Sequence, residues 1–412
     1  MGNTTTTAQG GTGGKAGQVL TVHLEGQLLR HGLKGERLAA SLKTLSFISR
    51  HTPVLDVTVL PYDPDTLAAA RAFRAAGGRT ELAVIFKDDT VKAIAGHLAC
   101  FDDIVPAGSP GTATSAPQGT MVREWLRALR IHQWIKNALI FIPLLAAHQL
   151  DNPAMFIQAV IAVIAFGLCA SSVYVLNDIL DLADDRHHRQ KRFRPFAAGT
   201  LPIGSGLVAF PFLLALSFTI ALATLPPLFS AVLAAYYTLT LTYSMVLKRI
   251  MALDVIALAM LYTLRIFAGV AALSLTLTFW LLAFAMFLFL SLALAKRFAE
   301  VRDALERGRP GKTRGRDYDT TDLEMISSLG AASGYQAVLV LALYIREQST
   351  VALYSNPEVL WLACPVLLFW ITRVWMLTHR GQMHEDPVVF AARDWVSQAA
   401  GVIFLLTFLA AS

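Results

Sequence analysis

Charge is scarce in this chain. Only 16% of its 412 residues are Asp, Glu, Lys or Arg, while 55% are hydrophobic, and the mean hydropathy is +0.52. That balance excludes a protein that is soluble or disordered throughout and predicts one that spends most of its length in a bilayer. Cysteine is rarer still. Cys100, Cys169 and Cys364 stand far apart, the last two in apolar runs, so neither a disulfide framework nor a thiolate metal site is expected. Basic residues are not interleaved with aromatics, which argues against nucleic acid as a partner. No basic stretch leading into an apolar one opens the chain, so the amino-terminal part is expected to stay cytoplasmic.

What is present is unevenly distributed. Residues 1–17 form a Gly/Thr-rich polar tail, expected to be disordered. Residues 18–106 have the composition of a small soluble α/β domain, and 107–121 read as a linker that leads into a membrane domain over 122–412. Apolar runs at 136–150, 153–176, 205–225, 228–247, 254–273, 277–295, 333–348, 358–378 and 396–411 predict about nine transmembrane helices, an all-α polytopic bundle.

Basic residues fix the expected orientation. Arg123, Arg127 and Arg130 precede the first run, five Lys/Arg lie between the second and third, Lys248 and Arg249 lie between the fourth and fifth, and eight lie between Lys296 and Arg316. The intervening loops 148–155, 224–229, 271–278 and 347–358 have none. By the positive-inside rule the amino terminus is cytoplasmic, the carboxyl terminus is outside, and every charged motif faces the cytoplasm.

The densest of these motifs is Asn177-Asp178-Ile-Leu-Asp181-Leu-Ala-Asp184-Asp185, set against the end of an apolar run and followed by Lys191-Arg192-Phe-Arg194-Pro195. Carboxylates beside a bilayer are costly unless something binds them. In a helix, Asp178, Asp181 and Asp185 fall at i, i+3 and i+7 and share one face. Three hard oxygen ligands with cations close by suit a magnesium–diphosphate. An ordinary solvated helix end is the competing account.

Three further segments fall on the same side. Arg130-Ile-His132-Gln133-Trp134-Ile-Lys136-Asn137 enters the first run, where an interfacial Trp/Lys anchor is the alternative. Tyr243-Ser244, Lys248-Arg249 and Asp254 are followed by Arg265 and Gly269 inside the fifth run. An Arg within an apolar helix needs a partner or a polar cavity, so Arg265 is expected to face the bundle interior. The last is Lys296-Arg297-Phe-Ala-Glu300 with Arg314-Gly-Arg316-Asp317-Tyr318, where a solvated loop competes.

Taken together, residues 122–412 resemble the UbiA superfamily of intramembrane prenyltransferases, nine-helix bundles whose Asp-rich motifs hold magnesium diphosphate. Asn177-Asp178-x-x-Asp181-x-x-x-Asp185 is similar to the first of those motifs. Gln133-Trp134-x-Lys136-Asn137 and Lys191-Arg192-x-Arg194-Pro195-x-Ala-x-Gly199 look most like the decaprenyl-phosphate phosphoribosyltransferase branch. Ile131, Leu180, Arg189 and the Gly315-Arg316-Asp317-Tyr318 stretch depart from that branch's usual residues, but none removes a metal ligand.

The resemblance implies transfer of 5-phosphoribose from phosphoribosyl pyrophosphate to a polyprenyl phosphate, on the way to arabinosylation of an envelope or secreted glycolipid. It implies Mg2+ held by Asn177, Asp178, Asp181 and Asp185, with Lys136, Lys191, Arg192 and Arg194 on phosphate oxygens. Asp254 becomes a candidate for stabilising charge at C1 of the ribose, and Lys248 and Arg265 candidates for the acceptor phosphate. Gln133, Asn137, Tyr243, Lys296, Glu300 and Tyr318 complete the expected substrate contacts. The expected partners are the two substrates and the bilayer, with a homo-oligomer left open. An aromatic prenyltransferase of quinone biosynthesis would use the same metal motif. A transporter would spread its charges through the membrane depth, which this sequence does not do.

The soluble stretch resembles the haloacid-dehalogenase phosphatase domain. Val22-His23-Leu24-Glu25-Gly26-Gln27 stands where that family has Asp-x-Asp-Gly-Thr. An imidazole in the nucleophile's place cannot supply the carboxylate that attacks phosphorus and binds magnesium. The resemblance therefore implies a degenerate, inactive remnant.

Overall fold

The computed structural model describes residues 6–7, 18–29, 32–44, 55–107, 118–188, 190–276, 278–307, 311, 316–347, 354–383 and 386–411. Most of the 1–17 tail, most of the 107–121 linker, Arg189, Arg314 and Gly315 lie outside them. The chain divides into two compact units, residues 1–131 with 171–214 and residues 132–170 with 215–412.

In the first unit, β1 (Thr6–Thr7) pairs antiparallel with β2 (Val19–His23). β2 runs parallel to β3 (Arg79–Val84), and β3 to β4 (Asp103–Pro106), with Val22 opposite Leu82 and Leu82 opposite Ile104. Parallel strands need crossover helices, which α1 (Leu33–Thr44), α2 (Pro64–Ala75) and α3 (Asp89–Leu98) supply. Asp63 and Asp88 cap α2 and α3 by accepting from Thr66 N and Val91 N, each at 3.0 Å. The α/β character expected for 18–106 is thus present. Its core is built on Leu20, Val22, Leu24, Leu82, Val84 and Ile94.

The same unit contains α4 (Gln118–Ala128), residues 171–180 of α6 (Pro153–Leu180), α7 (Leu182–His187) and the first turns of α8 (Ile203–Thr224). Phe196, Ile179, Val175, Leu201 and Ile203 close around one another there.

The second unit begins one residue into a 3-10 helix, Ile131–Phe141, that runs into α5 (Ile142–Ala146). The first run, expected at 136–150, is therefore shorter in residues than a full α-helical span. Because a 3-10 helix rises about 2.0 Å per residue, the segment still extends about 30 Å, the thickness of the hydrocarbon core. After it come α9 (Pro227–Met245), α10 (Leu253–Ala272), α11 (Phe279–Glu306), α12 (Leu323–Arg346) and α13 (Ala363–His379), each packed on the next. α14 (Pro387–Arg393) and α15 (Trp395–Ala411) follow, bent by 85° at their junction.

Among the described residues seven helices are long and apolar enough to span a membrane, and the bent pair makes an eighth. Adding the short first segment recovers the approximate nine. Large apolar side chains such as Phe212, Leu339, Phe369 and Leu406 stay exposed, as lipid-facing positions should. The chain is a multi-pass membrane protein.

Candidate active site

The acidic stretch keeps its one-sided spacing across a break. α6 ends at Leu180, Asp181 leaves the helical backbone, and α7 resumes at Leu182. Backbone bonds from Asp181 N to Asn177 O (2.9 Å) and from Asp185 N to Asp181 O (2.8 Å) carry the register through. Asp178 and Asp185 are each only 2% exposed and converge on one guanidinium. Arg194 Nη1 lies 3.2 Å from Asp178 Oδ1 and 2.6 Å from Asp185 Oδ2. Burial pushes the Asp185 carboxyl up to about 6, against the pull of Arg194.

Arg130 also serves Asp178, with Nη2 at 2.5 Å from Oδ1 and its guanidinium 4.7 Å from the Tyr174 ring centre. Its φ is 52°. A non-glycine residue held in that region costs about 1–2 kcal/mol, the sort of strain that collects at functional sites. Lys191 and Arg192, both exposed, continue the basic stretch, with Arg192 over the Phe193 ring.

The second unit holds two further clusters. One centres on Tyr262. Its hydroxyl donates to both carboxylate oxygens of Asp386 (2.7 and 2.9 Å), and Lys136 and Arg265 lie 5.7 and 5.5 Å from its ring centre. Asp386 Oδ2 receives Lys136 Nζ at 2.9 Å and Lys296 Nζ at 3.1 Å. Burial opposes ionisation of Asp386, but the two lysines outweigh it and hold the carboxyl well below the usual range.

Arg265, expected to face the interior, is buried. It donates to Asn137 Oδ1 (3.1 Å), Leu261 O (2.5 Å) and Tyr236 Oη (3.1 Å), all neutral acceptors. Gly269 makes this approach possible, since a Cβ there would sit 2.2 Å from Ile140 O. An apolar cavity of about 200 Å³ lies in the same packed region, lined by Leu139, Ile266, Phe289, Leu292 and Val388 among others.

The other cluster surrounds Asp254, which is fully buried. Tyr318 donates to its Oδ1 at 2.5 Å. Arg297 Nη2 stands 2.7 Å from Oδ2 as an ion pair without hydrogen-bond alignment, and Arg316 is 3.6 Å away. Arg297 and Arg316 also reach Glu300, and Arg316 donates to Tyr243 Oη at 3.2 Å. Two carboxylates thus face two guanidiniums, and the set is neutral.

The structure therefore gathers the expected residues into three groups: Asp178 and Asp185 with Arg194; Lys136, Asn137, Arg265 and Lys296; and Asp254, Glu300, Tyr243 and Tyr318. Gln133 and Lys248 are half-buried. The sequence reading missed Asp386 and Tyr262 and underweighted Arg130 and Arg297. Asp386-Pro387 carried one signal, the Asp-Pro start of a helix, since Asp386 accepts from Val388 N at 3.2 Å.

Among the described residues no three His, Cys, Asp or Glu side chains already form a cation cage. The donor chemistry at Asp178, Asp181 and Asp185 nevertheless fits a hard divalent ion, offering carboxylate oxygens and neither thiol nor imidazole.

Residues 138–408 match the UbiA prenyltransferase family. An uncharacterised Sinorhizobium fredii protein, y4nM, is 37% identical over 306 residues; the match covers 74% of this chain and 59% of that protein, so the chain spans well under two thirds of that relative's length. The nodulation protein NoeC of Azorhizobium caulinodans is 34% identical, over 68% of this chain and 93% of its own. A decaprenyl-phosphate phosphoribosyltransferase of Corynebacterium glutamicum is 31% identical, over 57% of this chain and 71% of its own. Among solved structures, a UbiA homologue of Archaeoglobus fulgidus bound to GPP and Mg2+ superposes with a TM-score of 0.52 at 15% identity, covering 70% of this chain and 99% of that one. The chain belongs to the UbiA prenyltransferase family.

Proposed function

We propose that this transferase moves 5-phosphoribose from phosphoribosyl pyrophosphate to a polyprenyl phosphate at the cytoplasmic face of a bacterial inner membrane. The observation that carries the reading is the charge around Tyr262. Lys136 and Lys296 share the carboxylate of Asp386, and Lys136 and Arg265 flank the Tyr262 ring, so three cations gather in an apolar interior. Cations so placed draw an anion. A phosphomonoester, with about −1.5 to −2 at neutral pH, suits them. The nearby cavity is of the right character for the first isoprene units, since about 150 Å³ of apolar space accepts a benzene. The relative of Corynebacterium glutamicum supports the same choice.

Asn177, Asp178, Asp181 and Asp185 would hold Mg2+, which when bound offsets diphosphate charge and favours its departure. Arg130 and Arg194 set the carboxylates and neutralise donor phosphate oxygens, while exposed Lys191 and Arg192 draw the anionic donor from water. Lys248 adds a contact for the acceptor phosphate, and Gln133, Tyr243 and Glu300 add donor contacts. An ionised oxygen of the acceptor phosphate attacks C1 of the ribose. The C1–O bond breaks with its electron pair going to pyrophosphate, and no base is required, because the attacking oxygen carries no proton at pH 7. Asp254 and Tyr318, enclosed with Arg297, act as positioning residues that fix the loop bearing Arg316.

The test uses membranes containing the protein, labelled phosphoribosyl pyrophosphate, polyprenyl phosphate and magnesium, with organic-soluble label as the readout. Labelled lipid that disappears in Asp178→Ala and Asp181→Ala supports the reading. No lipid product, or an unchanged yield in those variants, overturns it. Product only from a prenyl diphosphate and an aromatic acceptor would establish the quinone-type reaction instead.

A further inference from the structure

Between Asp185 and the basic stretch stands Arg186, and its partner comes from the soluble domain. Arg186 Nη1 and Nη2 donate to Glu36 Oε2 and Oε1 at 2.8 and 2.7 Å, a two-pronged pair with side chains 7% and 5% exposed. Arg186 Nε donates at 3.0 Å to Ala197 O, directly beyond Lys191–Phe196. One guanidinium thus ties together α1 of the soluble domain, the acidic α7 and the turn that follows the basic motif.

The contact is not confined to that pair. Ala39 of α1 packs into the cluster of Ile179, Leu182, Phe196 and Ile203. A Cβ on Gly35 would touch Ile203 at 3.4 Å, and one on Gly199, where φ is +69°, would meet Pro61 at 3.0 Å. Lys43 reaches Asp184 at 2.6 Å and His187 lies 3.4 Å from Asp56.

We infer that the soluble domain is a positioning lobe for the acidic motif, with Glu36 as its key residue. Glu36 satisfies a cation that immediately follows Asp185 in the chain. Without it, Arg186 becomes a buried charge lacking its counterion, and the nearest carboxylate of the metal motif becomes a competitor for it. Arg194 and a metal ion would then both lose Asp185 in part. On this account the α/β lobe has a mechanical task, whatever His23 replaces. The inference builds on the metal-binding role proposed above for Asp178, Asp181 and Asp185.

The test compares full-length wild type, Glu36→Gln, Glu36→Asp and the exchanged pair Glu36→Arg with Arg186→Glu, all in detergent. Amide hydrogen exchange over residues 178–188 is read without substrate, and half-saturating magnesium is read in the transfer assay. Glu36→Gln should speed exchange over 178–188 by about tenfold or more, leave α10–α13 unchanged, and raise half-saturating magnesium several-fold. The exchanged pair or Glu36→Asp should recover part of both. Unchanged exchange over 178–188, or acceleration spread equally over α10–α13, overturns the inference. If wild type forms no labelled lipid, the proposed reaction fails by itself and the exchange pattern still decides the role of Glu36.

Discussion

Asp178 and Asp185, seven residues apart and on either side of a helix break, meet on the same nitrogen of Arg194. One planar cation bridging two buried carboxylates sets their spacing. A lysine ammonium could supply the charge, but its flexible stem ends short of the place that Nη1 occupies. Arg194→Ala should therefore slow transfer by about 100-fold or more at saturating magnesium, and Arg194→Lys should recover little of it. Initial rates with labelled donor check this, and full recovery by lysine would mean that charge alone is needed.

A second expectation concerns pH. The folded state holds the Asp386 carboxyl below its ordinary 3.8 because Lys296 and Lys136 outweigh the cost of burying it. The stabilisation is then fully present above the unfolded value and is lost only as pH falls through the depressed one. Asp386→Asn should cost about 3 kcal/mol or more, as removal of one partner from a buried ion pair does. The gap in melting temperature from wild type should still be open at pH 5 and close only in stronger acid. Melting curves across that range in detergent test it; a gap that closes near neutrality would contradict the assignment.

At Gly269 the backbone of Ile140 comes so close that a Cβ would stand 2.2 Å from its carbonyl oxygen. Gly269→Ala must push the first segment away and take Asn137 from Arg265. A loss of about 1–3 kcal/mol is expected for such overpacking, together with lower activity. Gly401→Ala, where nothing lies within 4 Å, is the matched control. Thermal unfolding of the two variants side by side gives the comparison.

Filling the apolar cavity should separate the substrates. Ala285 lines it, and Ala285→Phe is expected to raise KM for polyprenyl phosphate several-fold while KM for phosphoribosyl pyrophosphate stays put. Equal changes in both would show that the cavity does not receive the lipid.

Sequence reasoning reached those parts of the site that depend on local spacing or on the cost of burying charge. The i, i+3, i+7 pattern of Asp178, Asp181 and Asp185 survives the break at Asp181 because the backbone bonds continue through it. Arg265 had to face inward because no apolar helix can turn a guanidinium to lipid; Asn137, already suspected, proved to be one of its partners. What stayed hidden were pairings between distant stretches of chain. Asp386 precedes a short helix and looks like an ordinary cap, and nothing local says that two lysines and a tyrosine converge on it. Glu36 stands among the basic Lys34, Arg37 and Lys43, and Arg186 directly follows Asp184 and Asp185, so only the fold picks out the pair. The first span was placed at 136–150, and its pattern does not reveal that a 3-10 backbone over Ile131–Phe141 begins it earlier.

The bond between Lys136 and Asp386 also has a consequence in time. Lys136 lies in the first apolar segment, and its counterion is made about 250 residues later, roughly 10–50 s at ordinary rates of synthesis. Until then an ammonium at that depth has no carboxylate to meet, so the first segment should wait near the headgroups while the later helices insert. Its final seating, and the closing of the anion site around Tyr262, would be the last event of assembly, triggered by the arrival of the carboxyl-terminal helices.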